Sequence, residues 1–168
     1  MNERALATYL NDHLAGSSAA LWTATRLIGA HRNDAIGTYM STFREQLVDE
    51  RNLLRSLLER LPAHESLVKR TVGAVGAALM WTRSALPLPG TPSLLEDLES
   101  LAIGVWGKRL LWGTLARVAA RDQRFADVDL DGLAGSAEDQ ERELIALRDD
   151  AIRTTLDVDA EATGPRPS

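Results

Sequence analysis

Glu50 occupies the position in this chain where residue type and spacing most directly ask for chemistry. Within the stretch Ile36 to Leu61, the residues Ile36, Met40, Phe43, Leu47, Glu50, Leu54, Leu57 and Leu61 follow one another in steps of four and three. That spacing keeps one narrow stripe of a helix turned toward partner helices. A carboxylate inside such a stripe needs a partner, a proton or a metal. Two other stripes carry polar residues at comparable depth: His13 and Ser17 near the middle of an N-terminal segment, and Gln140 in a C-terminal one. An imidazole, a hydroxyl and an amide beside a carboxylate suit either a hydrogen-bonded network that fixes helix register or a ligand site.

Four helices are predicted to position these groups. The first runs from about Glu3 to Ala30 with the seam Leu6, Leu10, His13, Ser17, Ala20, Ala24, Leu27. A short link, with Asn33 or Asp34 as the next N-cap, makes the second helix its antiparallel neighbour. The second helix ends at Leu61, because Pro62 cannot continue it. Pro62 to Pro92 then forms a long connection with its own helix over Ser66 to Arg83, which reads as a crossover. The third helix begins near Ser93, with Glu96 completing a capping box. Its seam is expected at Leu95, Leu98, Ala102, Val105, Arg109, Trp112, Ala116, Ala119. Arg121 to Asp131 reads as a loop with a short helical turn. The fourth helix runs from Leu130 or Leu133 to Leu156 with the seam Leu133, Ala137, Gln140, Leu144, Leu147, Ala151, Thr154. Residues 1–157 thus form one helical domain, and residues 158–168, which carry Gly164, Pro165 and Pro167, a disordered tail.

Composition narrows the function classes. The chain has no cysteine, so thiolate metal sites and disulfides are excluded. Its net charge is -5, and no basic block marks a nucleic-acid face. Thr71 to Thr82, the longest nearly uncharged run, is too short to span a bilayer. The charged, amphipathic start MNERALATYL lacks a signal-peptide core, which makes a cytoplasmic product the expectation. Phosphate-binding loops, dinucleotide fingerprints and His-Glu-x-x-His are absent from the sequence.

Helices joined by a short first link, a long crossover and a modest last link describe the ferritin-like bundle topology. Phe43-Arg44-Glu45-Gln46-Leu47 and Leu98 to Gly107 (LESLAIGVWG) resemble second- and third-helix segments of the ferritin-like superfamily, in its small bacterial stress-associated branch. The resemblance covers about residues 3 to 156. It implies an all-α bundle and, in the family, a centre of two iron or manganese ions held by four carboxylates and two histidines. The mid-bundle positions of this chain depart from that pattern. They offer Ser17, Glu50 followed by Leu53, Ala102 followed by Val105, and Gln140 followed by Glu143. Only Glu50 keeps the expected type, with Glu143 as a substitute.

The expectation is therefore a non-catalytic structural, interaction or stress-associated bundle whose di-metal centre has been lost, with no cofactor. An atypical iron- or manganese-binding oxidase would have to recruit His13, Glu50, Glu99 and Glu143. A binder of a small hydrophobic ligand would use a cavity opened by Ser17 and Ala102 among Trp22, Trp81, Trp106 and Trp112. Self-association into a homo-oligomer such as a dimer is expected through surplus apolar residues on the third helix, Trp106, Leu110 and Leu111.

Overall fold

A computed structural model describes residues 1–62 and 93–156. These form four long helices, α1 (Glu3–Ala30), α2 (Ala35–Glu59), α3 (Leu94–Ala119) and α4 (Leu130–Leu156), with a single 3-10 turn, Gln123–Phe125, between the last two. No strand occurs among the described residues, so the protein is an all-α bundle there. The crossover helix expected over Ser66 to Arg83, Trp81 and the tail at 158–168 lie outside the described residues.

The helix starts are written in the sequence. Asn2 caps α1 by accepting from the Ala5 amide, and Asp34 caps α2 by accepting from the Gly37 amide. Ser93 and Glu96 form the reciprocal capping box at the head of α3, and Asp129 accepts from the Gly132 amide at the head of α4, 2.9 Å away. Each such bond satisfies an amide that the first helical turn leaves without a partner. The turn between α1 and α2 is tight enough to require its glycine: a Cβ on Gly37 would stand 1.8 Å from the His31 carbonyl oxygen. The helix expected to reach Leu61 stops at Glu59. Arg60 and Leu61 close a tighter turn whose amides bond back to Leu57 and Leu58, and Leu61 remains in the core.

Ion pairs fix the helix directions. Arg26, late in α1, pairs with Asp97 at the start of α3. Arg124, just past α3, meets Glu3 at the start of α1, at 2.6 Å, so α1 and α3 are antiparallel. Arg60, just past α2, reaches Asp127 at 2.5 Å and the Arg124 carbonyl at 2.7 Å. The ends of α2 and α3 thus lie at the same end of the bundle, and these two helices are parallel. Pro62 and Ser93 consequently sit at opposite ends. α4 runs back along α3, with Arg148 against Glu99 at one level and Gln140 against Lys108 at another.

α1 packs directly on α2 and α3, and α3 on α4. α2 and α4 are joined through side chains, with the Tyr39 hydroxyl donating to the Gln140 carbonyl at 3.2 Å. The ring therefore runs α1, α2, α4, α3, which leaves α2 and α3 facing each other across the centre. Its core is built from Leu10, Leu27, Met40, Phe43, Leu57, Leu98, Trp112, Leu115 and Leu144. Burying each such side chain contributes about 1.5–3 kcal/mol.

The inward face of α3 differs from the expected seam. Leu98, Leu101, Val105, Trp112 and Leu115 are buried, whereas Ala102, Arg109 and Ala116 are half-buried. Arg109 lies toward α4, with Glu141 at 3.7 Å. The helix is rotated because Leu, Ile, Val or Trp occurs on every side of it, so periodicity alone does not select the face that packs.

Candidate functional site

That rotation puts Lys108, and not Ala102, at the bundle centre. The seam Leu98, Leu101, Val105, Lys108, Trp112, Leu115 keeps the steps of three and four, with lysine as its one charged member. From the opposite corner, the α2 seam brings Glu50, which is 8% exposed. The Lys108 ammonium stands 2.5 Å from Glu50 Oε2. It also donates to the Gln140 side-chain oxygen. The Gln140 amide nitrogen in turn donates to Gln46 Oε1 at 2.7 Å and lies 3.4 Å from Glu50 Oε1. Phe43 closes one side of the cluster, its ring centre 5.9 Å from the ammonium. Three helices thus meet on one ion pair and two amides.

Burial pushes the Lys108 ammonium below the ordinary lysine pKa, and the charge and hydrogen bond of Glu50 oppose that shift. A close buried pair is compensated only if its remaining polar positions are filled. Here Gln140 reaches both members of the pair and is itself held by Gln46. Around the pair, the Tyr39 phenol is raised above its usual pKa, chiefly by burial and further by the negative charge of Glu143.

The sign of the Tyr39 shift yields a prediction. A phenol whose folded pKa lies above the unfolded value of about 10 contributes stability that is complete below pH 10 and is lost as pH rises beyond it. Tyr39→Phe should therefore cost about 1 kcal/mol near pH 7, the usual worth of one hydrogen bond. It should also flatten the decline in stability between about pH 10 and pH 12. Urea-unfolding midpoints of both proteins across that range give the comparison, and parallel slopes would refute it.

The other residues singled out from the sequence fall at different distances from this centre. Gln140 belongs to it. Ser17 is half-buried on α1, donates to the Leu14 carbonyl at 2.8 Å and accepts from Arg51, so it serves the α1–α2 contact. His13 lies edge-on to Tyr9 with ring centres 4.7 Å apart, and its pKa is lowered by burial against the opposing charge of Asp12. Glu99 is turned outward to Arg148 at 2.9 Å. Glu143 is exposed and acts on the centre only through its field at Tyr39. Among the described residues, no three His, Asp or Glu side chains converge on a point where they could hold a metal ion. A pair of iron or manganese ions needs several hard oxygen donors and imidazoles. The centre offers one carboxylate, two neutral amides and an ammonium, and so does not fit such a pair.

Sequence reasoning passed over two groups. Lys108 was hidden by the rotation of α3, although a lone lysine in an unbroken apolar seam is a legible signal. Asp97 was hidden because it falls in the first turn of α3, where an acid is ordinary. It is 5% exposed and paired with Arg26, which also lies over the Trp22 ring at 5.4 Å. Burial raises the Asp97 carboxyl and the Arg26 guanidinium counteracts this.

No protein-family model, curated protein or solved structure matches this chain.

Proposed function

We propose that this protein is a ferritin-like bundle whose central cation site is filled by its own lysine, and that it acts as a non-catalytic structural or interaction protein in a stress-associated setting. The observation that carries the reading is the Lys108 ammonium 2.5 Å from Glu50, the one carboxylate that the described residues place at the middle of the bundle. Where a metal protein would set several carboxylates around a divalent ion, this chain sets one carboxylate against one ammonium and neutralises it internally. Gln140 supports the reading, since an amide can accept from the ammonium and donate to Gln46 at once. The parallel α2 and α3, with Pro62 and Ser93 at opposite ends, agree with a ferritin-like order of helices. Such a centre holds the helices in register. Among the described residues, its carboxylate and ammonium are engaged with each other, which supports a structural role.

The test is elemental analysis of the purified protein after exposure to Fe(II) and Mn(II), with Glu50→Ala in parallel. The expected result is less than about 0.1 metal per chain in both proteins. Stoichiometric iron or manganese that disappears in Glu50→Ala would overturn the proposal and make the protein a metal-binding one.

A further inference from the structure

Among the described residues, the outward face of α3 gathers three large apolar side chains, where α1 exposes only Trp22, α4 only Ile145 and α2 none. Ile103, Trp106 and Leu110 are 70%, 48% and 46% exposed, one to two turns apart on the side away from the core. Together they expose on the order of 350 Å², within the ~300–600 Å² of the largest patch on a typical monomer and near the roughly 450 Å² of apolar area in one side of a standard interface. Beside them stands Gly107. Among the described residues, a Cβ built there meets nothing within 4 Å, so no packing between them requires glycine. A glycine in mid-helix nonetheless costs about 1 kcal/mol relative to alanine.

The same face is self-complementary when reversed. Glu96 lies on it two turns before Ile103 and Arg117 two turns after Leu110; both are exposed, and Arg117 makes no ion pair among the described residues. Two copies of α3 related by a two-fold axis between Trp106 and Gly107 would run antiparallel. Ile103 of one copy then lies opposite Leu110 of the other, and Trp106 opposite the glycine gap. The acidic end of each stripe meets the basic end of its mate. A parallel arrangement would set acid on acid and base on base. We infer that this face of α3 binds a second copy of the chain, forming an antiparallel two-fold dimer in which Trp106 fills the gap at Gly107. In a two-fold interface each contact occurs twice, so both the charge pair and the indole-in-gap contact are doubled.

The inference is tested by sedimentation equilibrium of the full chain, with circular dichroism to confirm that each variant keeps its helix content. The wild type should be a dimer at low micromolar concentration. Trp106→Glu, an exposed substitution, should raise the dimer Kd at least about thirtyfold, as expected of an interface anchor. Arg117→Glu should raise it about fivefold. The double variant Glu96→Arg, Arg117→Glu should return it to within about threefold of wild type, because the reversed charges again meet as opposites. A wild type that stays monomeric at high concentration would overturn the inference and assign the face to residues 63–92 or to a different protein. A dimer indifferent to Trp106→Glu, or a double variant weaker than Arg117→Glu, would overturn it as well.

Discussion

Lys108→Met is expected to destabilise the bundle by about 3–5 kcal/mol at pH 7, the cost of removing one member of a buried ion pair and leaving the other. Methionine matches the length of the lysine stem, so the packing against Phe43 is kept and the loss is electrostatic. Glu50 would then retain only Gln140 at 3.4 Å, a long and weak hydrogen bond for a buried carboxylate. Against a total stability of about 5–15 kcal/mol, this single change removes about a fifth or more. The double variant Glu50→Leu, Lys108→Met should recover most of the loss, since replacing both charges by apolar groups of similar volume is often neutral or stabilising. A urea-unfolding cycle of the four proteins at pH 7 measures the coupling. A single-variant loss below about 1 kcal/mol would show that the pair is solvated and that the centre is open to water.

Trp112→Ala should cost a similar amount, about 3–5 kcal/mol, by the loss of transfer energy and the cavity left behind. Trp112 is 1% exposed and belongs to the same α3 seam as Lys108, one helical turn further on. Among the described residues, its indole nitrogen has no hydrogen-bond partner. Trp112→Phe therefore forfeits volume and no hydrogen bond, and should cost distinctly less than the alanine change. In a chain of this length each kcal/mol moves the melting temperature by about 2–4 °C, so the alanine variant should melt roughly 6–20 °C lower. The phenylalanine variant should also lose a blue-shifted part of the fluorescence, because Trp112 is buried while Trp22 and Trp106 are about half exposed. A melting temperature within about 2 °C of wild type for Trp112→Ala would show that the α3 seam is placed wrongly.

These two residues mark where sequence reading succeeds and where it stops. On α2 the apolar and charged residues separate cleanly, so the expected seam from Met40 to Leu57 is the buried one, Glu50 included. On α4, Ala137, Gln140, Leu144 and Ala151 are buried as spaced. α1 matches its expected limits, Glu3–Ala30, and buries Leu6, Leu10, Ala24 and Leu27. The capping box at Ser93 and Glu96 is likewise legible, because caps are local hydrogen bonds among residues three apart. On α3 the spacing fails. Apolar residues at 103, 106 and 110 compete with those at 98, 101 and 105, and both sets fit a helix. The expected self-association surface is corrected for the same reason: Leu111 is 2% exposed and belongs to the core, while Trp106 and Leu110 face outward.

What the sequence by itself determined is the all-α class, the approximate limits of the helices, the capping box at Ser93 and the carboxylate at the middle of α2. Those features depend on periods of three to four residues and on bonds within one turn. What only the tertiary structure decided is which side of α3 turns inward, and hence that Glu50 meets Lys108, that Gln140 bridges them, that Asp97 meets Arg26, and that Glu99 and Glu143 stand away from the centre. The partner of a buried charge lies on another helix, 58 positions on in the case of Glu50 and Lys108. The rotation of a helix that is apolar all round is set by how its neighbours pack, and local spacing carries no record of that choice.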